Sequence, residues 1–174
     1  MAKRLFDILL ALWALCLFAP FLLALSLLLR LTQPGPVFYG VTRLGYQGRS
    51  FQHLRFRTKF GDPPRTSRTG RLLINSSLDE LPALWNVVRG DLSLVGVKPL
   101  TTAEAEQVTE EWQRQRYDYL AGWTGQWFIQ TPRTSELLEV FVADAYYVAT
   151  RTWQGDLKLL WQTPLAWWQR VKVN

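Results

Sequence analysis

Apolar residues fill positions Ile8 to Leu29 almost without interruption, Ser26 being the one clearly polar side chain. As a helix this run is roughly 33 Å long, about the hydrocarbon thickness of a bilayer. Pro20 lies near its middle, where a missing N–H and a ring clash predict a kink or break. Basic residues flank both sides: Lys3 and Arg4 before, then Arg30, Arg43, Arg49, Arg55 and Arg57 after. Positive charge stays cytoplasmic, so both flanks ask for the same side. A broken helix that enters and leaves by one face answers both demands; a plain single span fits the same run. A cleaved leader fits less well, because the run is long and lacks a small-residue cleavage site. Asp7, at the edge of the run, calls for a charge partner, and Arg4 stands one turn away.

Beyond the run the pattern changes. Gln33-Pro34-Gly35-Pro36 reads as a turn that stops the helix. Val37 to Tyr39 and Phe51 to Phe60 read as strands around a glycine-bearing loop at Arg43 to Gly48. In the second strand Leu54 and Phe56 alternate with Arg55 and Arg57, which share the other face. Residues Gly61 to Gly70 read as a mobile loop. Leu78 to Val88 predicts a helix, Leu92 to Val97 a short strand, Thr102 to Tyr119 a polar helix, Gly122 to Gly125 a loop, and Glu136 to Ala149 a further helix. From Asp156, Leu157, Leu160, Trp161, Leu165, Trp168 and Val171 recur at helical spacing, with Lys158, Gln162, Gln169, Arg170 and Lys172 between them. That stripe suits a lipid interface, and it equally suits packing on a core.

The 174 residues carry nine tryptophans and a formal net charge of +6. A basic balance calls for an anionic partner: nucleic acid, lipid head groups or phosphorylated substrates. The single cysteine, Cys16, excludes an intrachain disulfide and a cysteine-cluster zinc site. His53 is the only histidine; it reads as a packing or surface residue, and no triad, Walker or Rossmann pattern surrounds it.

The densest chemistry is Ser77-Leu78-Asp79-Glu80-Leu81-Pro82, followed by Gly90-Asp91-Leu92-Ser93-Leu94-Val95-Gly96. Ser77-x-x-Glu80 fits a capping box, and acids are common in first turns. The same two carboxylates also suit a nucleophile beside a metal ligand. Spacing alone leaves both open.

The chain resembles the monotopic phosphoglycosyl transferases, or bacterial sugar transferases, nearly end to end. The resemblance rests on Lys3-Arg4-x-x-Asp7, Ala19-Pro20, Gly35-Pro36-Val37-Phe38, Arg43-x-Gly45-x-x-Gly48, Phe56-Arg57-Thr58 and the stretch from Ser77 to Gly96. Gly122-x-Thr124-Gly125, Asp144-x-Tyr146-Tyr147-Val148 and Asp156-Leu157-Lys158 add weaker matches. It implies an α/β fold: a small sheet with surrounding helices, a reentrant membrane helix-break-helix over 1–32, a cytosolic catalytic domain over 33–155 and an amphipathic interfacial helix over 156–174.

The resemblance also implies chemistry. Asp79 would attack the sugar-bearing phosphate of a UDP-sugar, and polyprenyl phosphate, of the undecaprenyl type, would collect the phosphosugar. Glu80, with Asp79, would hold Mg²⁺. Arg57 is the first phosphate-binding candidate, joined by Arg43, Lys98 and Asp91. Pro20, Lys3, Arg4 and Arg30 would meet the lipid of the bacterial inner membrane, with the catalytic domain on its cytosolic face. A second copy of the chain is a further candidate partner; nucleic acid is not, because the arginines cluster between the apolar run and the carboxylates. The chain departs from the family pattern at Ile74, Lys98, Leu120-Ala121 and Gln126-Trp127-Phe128, and its 61–70 spacer is short. The runner-up is therefore a catalytically weakened relative that acts as a membrane-bound scaffold.

Overall fold

The computed structural model describes residues 2–32, 35–61, 65–132 and 135–172, with side chains to 169. Gln33 and Pro34 of the expected turn, 62–64 of the expected loop and the Arg170, Val171 and Lys172 side chains of the last stripe lie outside these descriptions.

Helix α1 (Ala2–Thr32) runs as one helical element through Pro20, where a break is expected. Proline forfeits one backbone bond and strains one turn, which a long helix braced elsewhere absorbs. Here the brace is the body of the protein. Asp7, Ala11, Leu25 and Leu29 are buried, and Leu10, Ala14, Leu15 and Leu22 pack beside them. These positions follow a three-to-four spacing, so one stripe lies against the body from end to end. The opposite stripe, with Leu5, Leu9, Trp13, Leu17, Leu23, Leu27 and Leu31, is exposed.

Strands β1 (Phe38–Leu44) and β2 (Ser50–Phe56) form an antiparallel hairpin with Val41 opposite His53. One small sheet is expected; the described residues instead form three two-stranded sheets. The second pairs β3 (Lys59–Phe60) with β4 (Arg65–Thr66). The third pairs β5 (Ser93–Val95) in parallel with β6 (Gly122–Thr124), which the sequence reads as loop. Gly96 and Gly122 permit this crossing. A Cβ on Gly96 would sit 2.3 Å from the Leu120 carbonyl, and one on Gly122 would sit 2.2 Å from the Gly96 nitrogen.

Helix α2 (Arg68–Ser76) begins inside the expected loop, capped by Ser67, whose hydroxyl accepts from the Gly70 N–H at 2.8 Å. A 3₁₀ turn (Leu78–Ala83) then leads into α3 (Leu84–Arg89). The expected polar helix from Thr102 is broken into α4 (Thr102–Ala105), α5 (Glu111–Arg114) and a 3₁₀ turn (Gln115–Asp118). The Gln113 carboxamide turns back to accept from the Thr109 and Glu110 N–H groups, which starts a new helix there. Then come α6 (Gln126–Gln130), α7 (Leu137–Thr150) and α8 (Trp153–Lys172). The core gathers Leu81, Leu84, Val87, Leu92, Leu94, Val95 and Ala121 around the β5–β6 pair.

Candidate active site

Ser77 sets the site. It adopts a left-handed conformation (φ 53°), ending α2 and redirecting the chain into the 3₁₀ turn. A non-glycine residue there is uncommon and marks local strain. Its side chain caps nothing at the turn, so the capping-box reading of Ser77 and Glu80 fails. Glu80 is thereby free for another partner.

That partner is Arg55, at the end of β2. Its guanidinium reaches Glu80 Oε1 at 2.5 Å and Asp79 Oδ2 at 3.5 Å. Asp79 is 5% exposed and Glu80 half-buried. One planar fork therefore holds both carboxylates side by side. The Trp123 indole N–H fixes the backbone beneath, donating to the Glu80 carbonyl at 3.2 Å.

The same hairpin face carries more cationic groups. Arg43, on β1, lies 3.6 Å from Glu104, and Lys98 lies 2.7 Å from the other oxygen of that carboxylate. Burial works to raise the pKa of Glu104, but hydrogen bonds from Lys98 and Thr101 outweigh it and hold its carboxyl below the usual range. Burial, then neighbouring Arg55, lowers the Arg43 guanidinium from its ordinary value. Arg43 Nε, Arg55 Nε and both ring nitrogens of His53 are buried without a hydrogen-bond partner among the described residues. The face opposite the carboxylates is thus rich in unspent polar capacity.

Two carboxylates already gripping a cation suit a hard metal ion. Mg²⁺ commonly takes one or two carboxylates and completes its shell with water and substrate phosphate. Asp79 and Glu80 fit that demand. No larger cluster of acidic, histidine and cysteine ligands occurs among the described residues.

A family model for the bacterial sugar transferases matches residues 1–170. The chain belongs to that family. It is 33% identical to the exopolysaccharide production protein ExoY of Rhizobium meliloti, over 94% of this chain and 84% of that protein. Against the UDP-glucose:undecaprenyl-phosphate glucose-1-phosphate transferase of Caulobacter vibrioides it is 36% identical, over 92% of this chain and 67% of the relative. Against the undecaprenyl-phosphate galactose phosphotransferase of Salmonella typhimurium it is 29% identical, over 92% of this chain but 39% of that longer protein.

In this sugar transferase the expected site residues divide. Asp79 and Glu80 are held together by Arg55, and Arg43 and Lys98 cluster through Glu104. The Arg57 guanidinium lies so close over Gly35 that a Cβ there would fall 2.3 Å from Nη1. Arg55, two residues earlier and inside β2, meets the carboxylates, whereas Arg57 lies just past the end of the strand. Alternation along the sequence puts both on one face; which arginine faces the turn depends on tertiary register.

Asp91 does not join them. Its carboxylate accepts from Asn86 Nδ2 at 2.8 Å and lies 3.6 Å from Arg89. Asn86 is fully buried, donates to the Gln52 carbonyl and accepts from the Leu54 N–H. Asp91 therefore braces the turn after α3 against β2.

Lys3 and Arg4 also differ from expectation. Asp7 pairs with Lys3 at 3.3 Å rather than with Arg4. Arg4 donates instead to the Val87 and Leu92 carbonyls at 2.6 and 2.9 Å, closing the C-terminal end of α3. Arg30, in the last turn of α1, is exposed.

His53 is 3% exposed and packs beside Phe51. Burial pushes its pKa down to about 4, with Glu80 pulling the other way and Arg55 and Arg43 adding to the drop. Arg116 and Asp144, both buried, pair at 2.9 Å under Lys98, whose backbone N–H donates to the same carboxylate.

Proposed function

We propose that this chain moves a sugar 1-phosphate from a UDP-sugar to a polyprenyl phosphate, starting a lipid-linked glycan. The observation that carries the reading is Arg55 bracing Asp79 beside Glu80. A carboxylate nucleophile must be ionised and aimed, and a guanidinium favours the charged form while fixing its direction.

In the first step an Asp79 oxygen attacks the sugar-bearing phosphorus. The bond to the bridging oxygen breaks, and UMP leaves with that electron pair. In the second step an oxygen of polyprenyl phosphate attacks the same phosphorus. The Asp79–phosphorus bond breaks, restoring the carboxylate and leaving a diphosphate-linked sugar on the lipid. Arg55 and Arg43 offset negative charge on the phosphoryl oxygens. Asp79 and Glu80 would hold Mg²⁺, which supplies further charge neutralisation on the diphosphate.

The membrane setting follows the same logic, since one substrate dissolves in water and the other in lipid. Both ends of α1 rest on one body: Lys3 at Ser93, and Leu29 beside Phe56 and Leu73. That arrangement supports both ends of α1 lying on one side of the membrane, with the body on the cytosolic side of the inner membrane. Labelling of cysteines placed at Ala2 and Thr32, in a Cys16→Ser background, should then occur from the same face; opposite-face labelling would favour a full span.

The decisive assay mixes the purified chain with Mg²⁺, polyprenyl phosphate and a panel of UDP-sugars and follows UMP. Release with at least one sugar, a phosphosugar adduct on Asp79 by mass spectrometry, and loss of both in Asp79→Asn are expected. A folded chain that releases no UMP from any sugar would instead be a membrane-bound scaffold.

A further inference from the structure

The described residues also bound cavities away from the carboxylate pair. One of about 370 Å³ opens between α6, α7 and α8, and neither Asp79, Glu80 nor Arg55 lines it. Three carboxamides converge on it: Gln126 and Gln130, one turn apart on α6, and Gln162 on α8. Tyr146 of α7, Arg151 just past its end and Lys158 of α8 add further polar groups to the wall.

The chemistry of this wall is unusual in being unspent. None of the three carboxamides, nor the Lys158 ammonium, has a hydrogen-bond or ion-pair partner among the described residues. For Lys158 and Gln130, which are exposed, water suffices. Gln126 is only 8% exposed. Its carboxamide is nevertheless not among the buried polar atoms that lack a partner, so it too meets water in the cavity, water that a polar ligand would replace.

Charge narrows the occupant. The one acid on the wall, Asp156, is already held by Lys3 at 3.2 Å and by the Tyr147 hydroxyl at 2.9 Å. Arg151, whose guanidinium lies 4.8 Å over the Tyr119 ring, and Lys158 have no carboxylate partner among the described residues, so the cavity favours an anion. A carboxamide offers a donor and an acceptor together, which matches a hydroxyl group that is both. Three of them beside a phenol match a polyol. The volume falls within the range of small-molecule sites.

We propose that the α6–α7–α8 cleft is a second ligand site, separate from the transferase centre, for a saccharide bearing a carboxylate or a phosphate. Lys158 and Arg151 hold the acidic group, and Gln126, Gln130 and Gln162 read the hydroxyls. Occupancy does not depend on the transfer reaction, so binding is measured rather than turnover.

The full chain in nanodiscs is titrated calorimetrically with glucuronate, glucose 1-phosphate, methyl glucoside and inorganic phosphate. Saturable binding of at least one charged sugar is expected, with methyl glucoside and phosphate each weaker by roughly tenfold. Whichever charged sugar binds more tightly tells whether the occupant is a uronic acid or a sugar phosphate. Lys158→Glu and Gln162→Leu, both at positions outside the core, should each weaken that binding by about tenfold and leave UMP release unchanged. Asp79→Asn should leave it intact. No saturable binding of either sugar would overturn the site. So would phosphate binding as tightly as the sugars, indifference to both cleft variants, or loss of binding in Asp79→Asn, which would assign the ligand to the transferase centre.

Discussion

Lys3, at the start of α1, lies 3.2 Å from Asp156, in the first turn of α8. The same ammonium contacts Asp7 at 3.3 Å and donates to the Ser93 hydroxyl at 2.6 Å. One cation thus joins the N-terminal apolar helix, the β5 strand and the C-terminal helix. Both carboxylates are buried, so removing the cation strands two charges away from water. Lys3→Met keeps the aliphatic stem and should cost on the order of 3–5 kcal/mol, read as a lower midpoint in detergent unfolding. A Lys3 that served only lipid head groups would leave that midpoint where it was.

Loss of Arg55 should be felt in turnover without harm to the fold. Its brace on Asp79 and Glu80 lies at the half-buried edge of β2. Removing a charge-stabilising donor from such a site commonly lowers kcat by about 10²–10³-fold. Arg55→Leu should show a loss of that order in UMP release. Arg55→Lys should recover part of it, because the charge returns but the two-pronged geometry does not. Equal activity of wild type and Arg55→Leu would remove Arg55 from the reaction.

How much of this was legible beforehand varies by residue. Asp79 and Glu80 were visible because two adjacent acids before a proline-bearing turn carry their own signal. Their partner was not, because sequence alternation puts Arg55 and Arg57 on one face and only tertiary register chooses between them. The capping box misled because Ser77 takes a left-handed conformation, which no local pattern there announced. Lys3 and Arg4 both lie one turn from Asp7, at spacings of four and three; contacts from β5 and α3 decided which cation stayed. Helix α2 was hidden by glycine, threonine and arginine in its first turn, although Ser67 is an ordinary N-cap. The strand β6 was hidden by Gly122 and Gly125, which look like loop residues but are needed where two backbones touch.

His53 should govern part of the acid lability. Its folded pKa is depressed to about 4 from 6.5, in an environment set by burial together with Glu80, Arg55 and Arg43. The unfolded chain therefore binds the proton first as pH falls. The stabilisation is complete above about pH 6.5 and disappears as pH drops through about 4, a span worth on the order of 3 kcal/mol. Asp144 runs the other way over much of the same window. Burial raises it to about 6 against the pull of Arg116, so its contribution is lost as pH rises. The two oppose one another in wild type, and a substitution is needed to see either. His53→Leu should leave the opposing Asp144 slope uncovered, so that stability falls as pH rises from about 4 to about 6, measured by denaturant unfolding. An unchanged slope would mean the imidazole is hydrated in the folded chain.

The C-terminal helix offers a direct contrast between lipid and core. Trp161 is 87% exposed, and Trp153, Leu157, Leu165 and Trp168 accompany it on the outer side of α8. Trp167 turns inward, meeting Trp123 edge-on with ring centroids 6.3 Å apart. A tryptophan stripe open to water has a large hydrophobic cost, which a bilayer interface relieves. Lys158 and Gln162 lie further round the helix, on the cleft side. Spin labels at 161 and 158, each in a Cys16→Ser background and reconstituted in vesicles, should therefore report opposite surroundings. Position 161 should be open to oxygen and shielded from a water-soluble relaxation agent, and position 158 the reverse. Trp161→Asp should change intrinsic stability by less than about 0.5 kcal/mol, whereas Trp167→Asp, which buries a charge, should destabilise by several times that. Water accessibility at both labelled positions would place the α8 stripe away from lipid and leave α1 as the membrane contact.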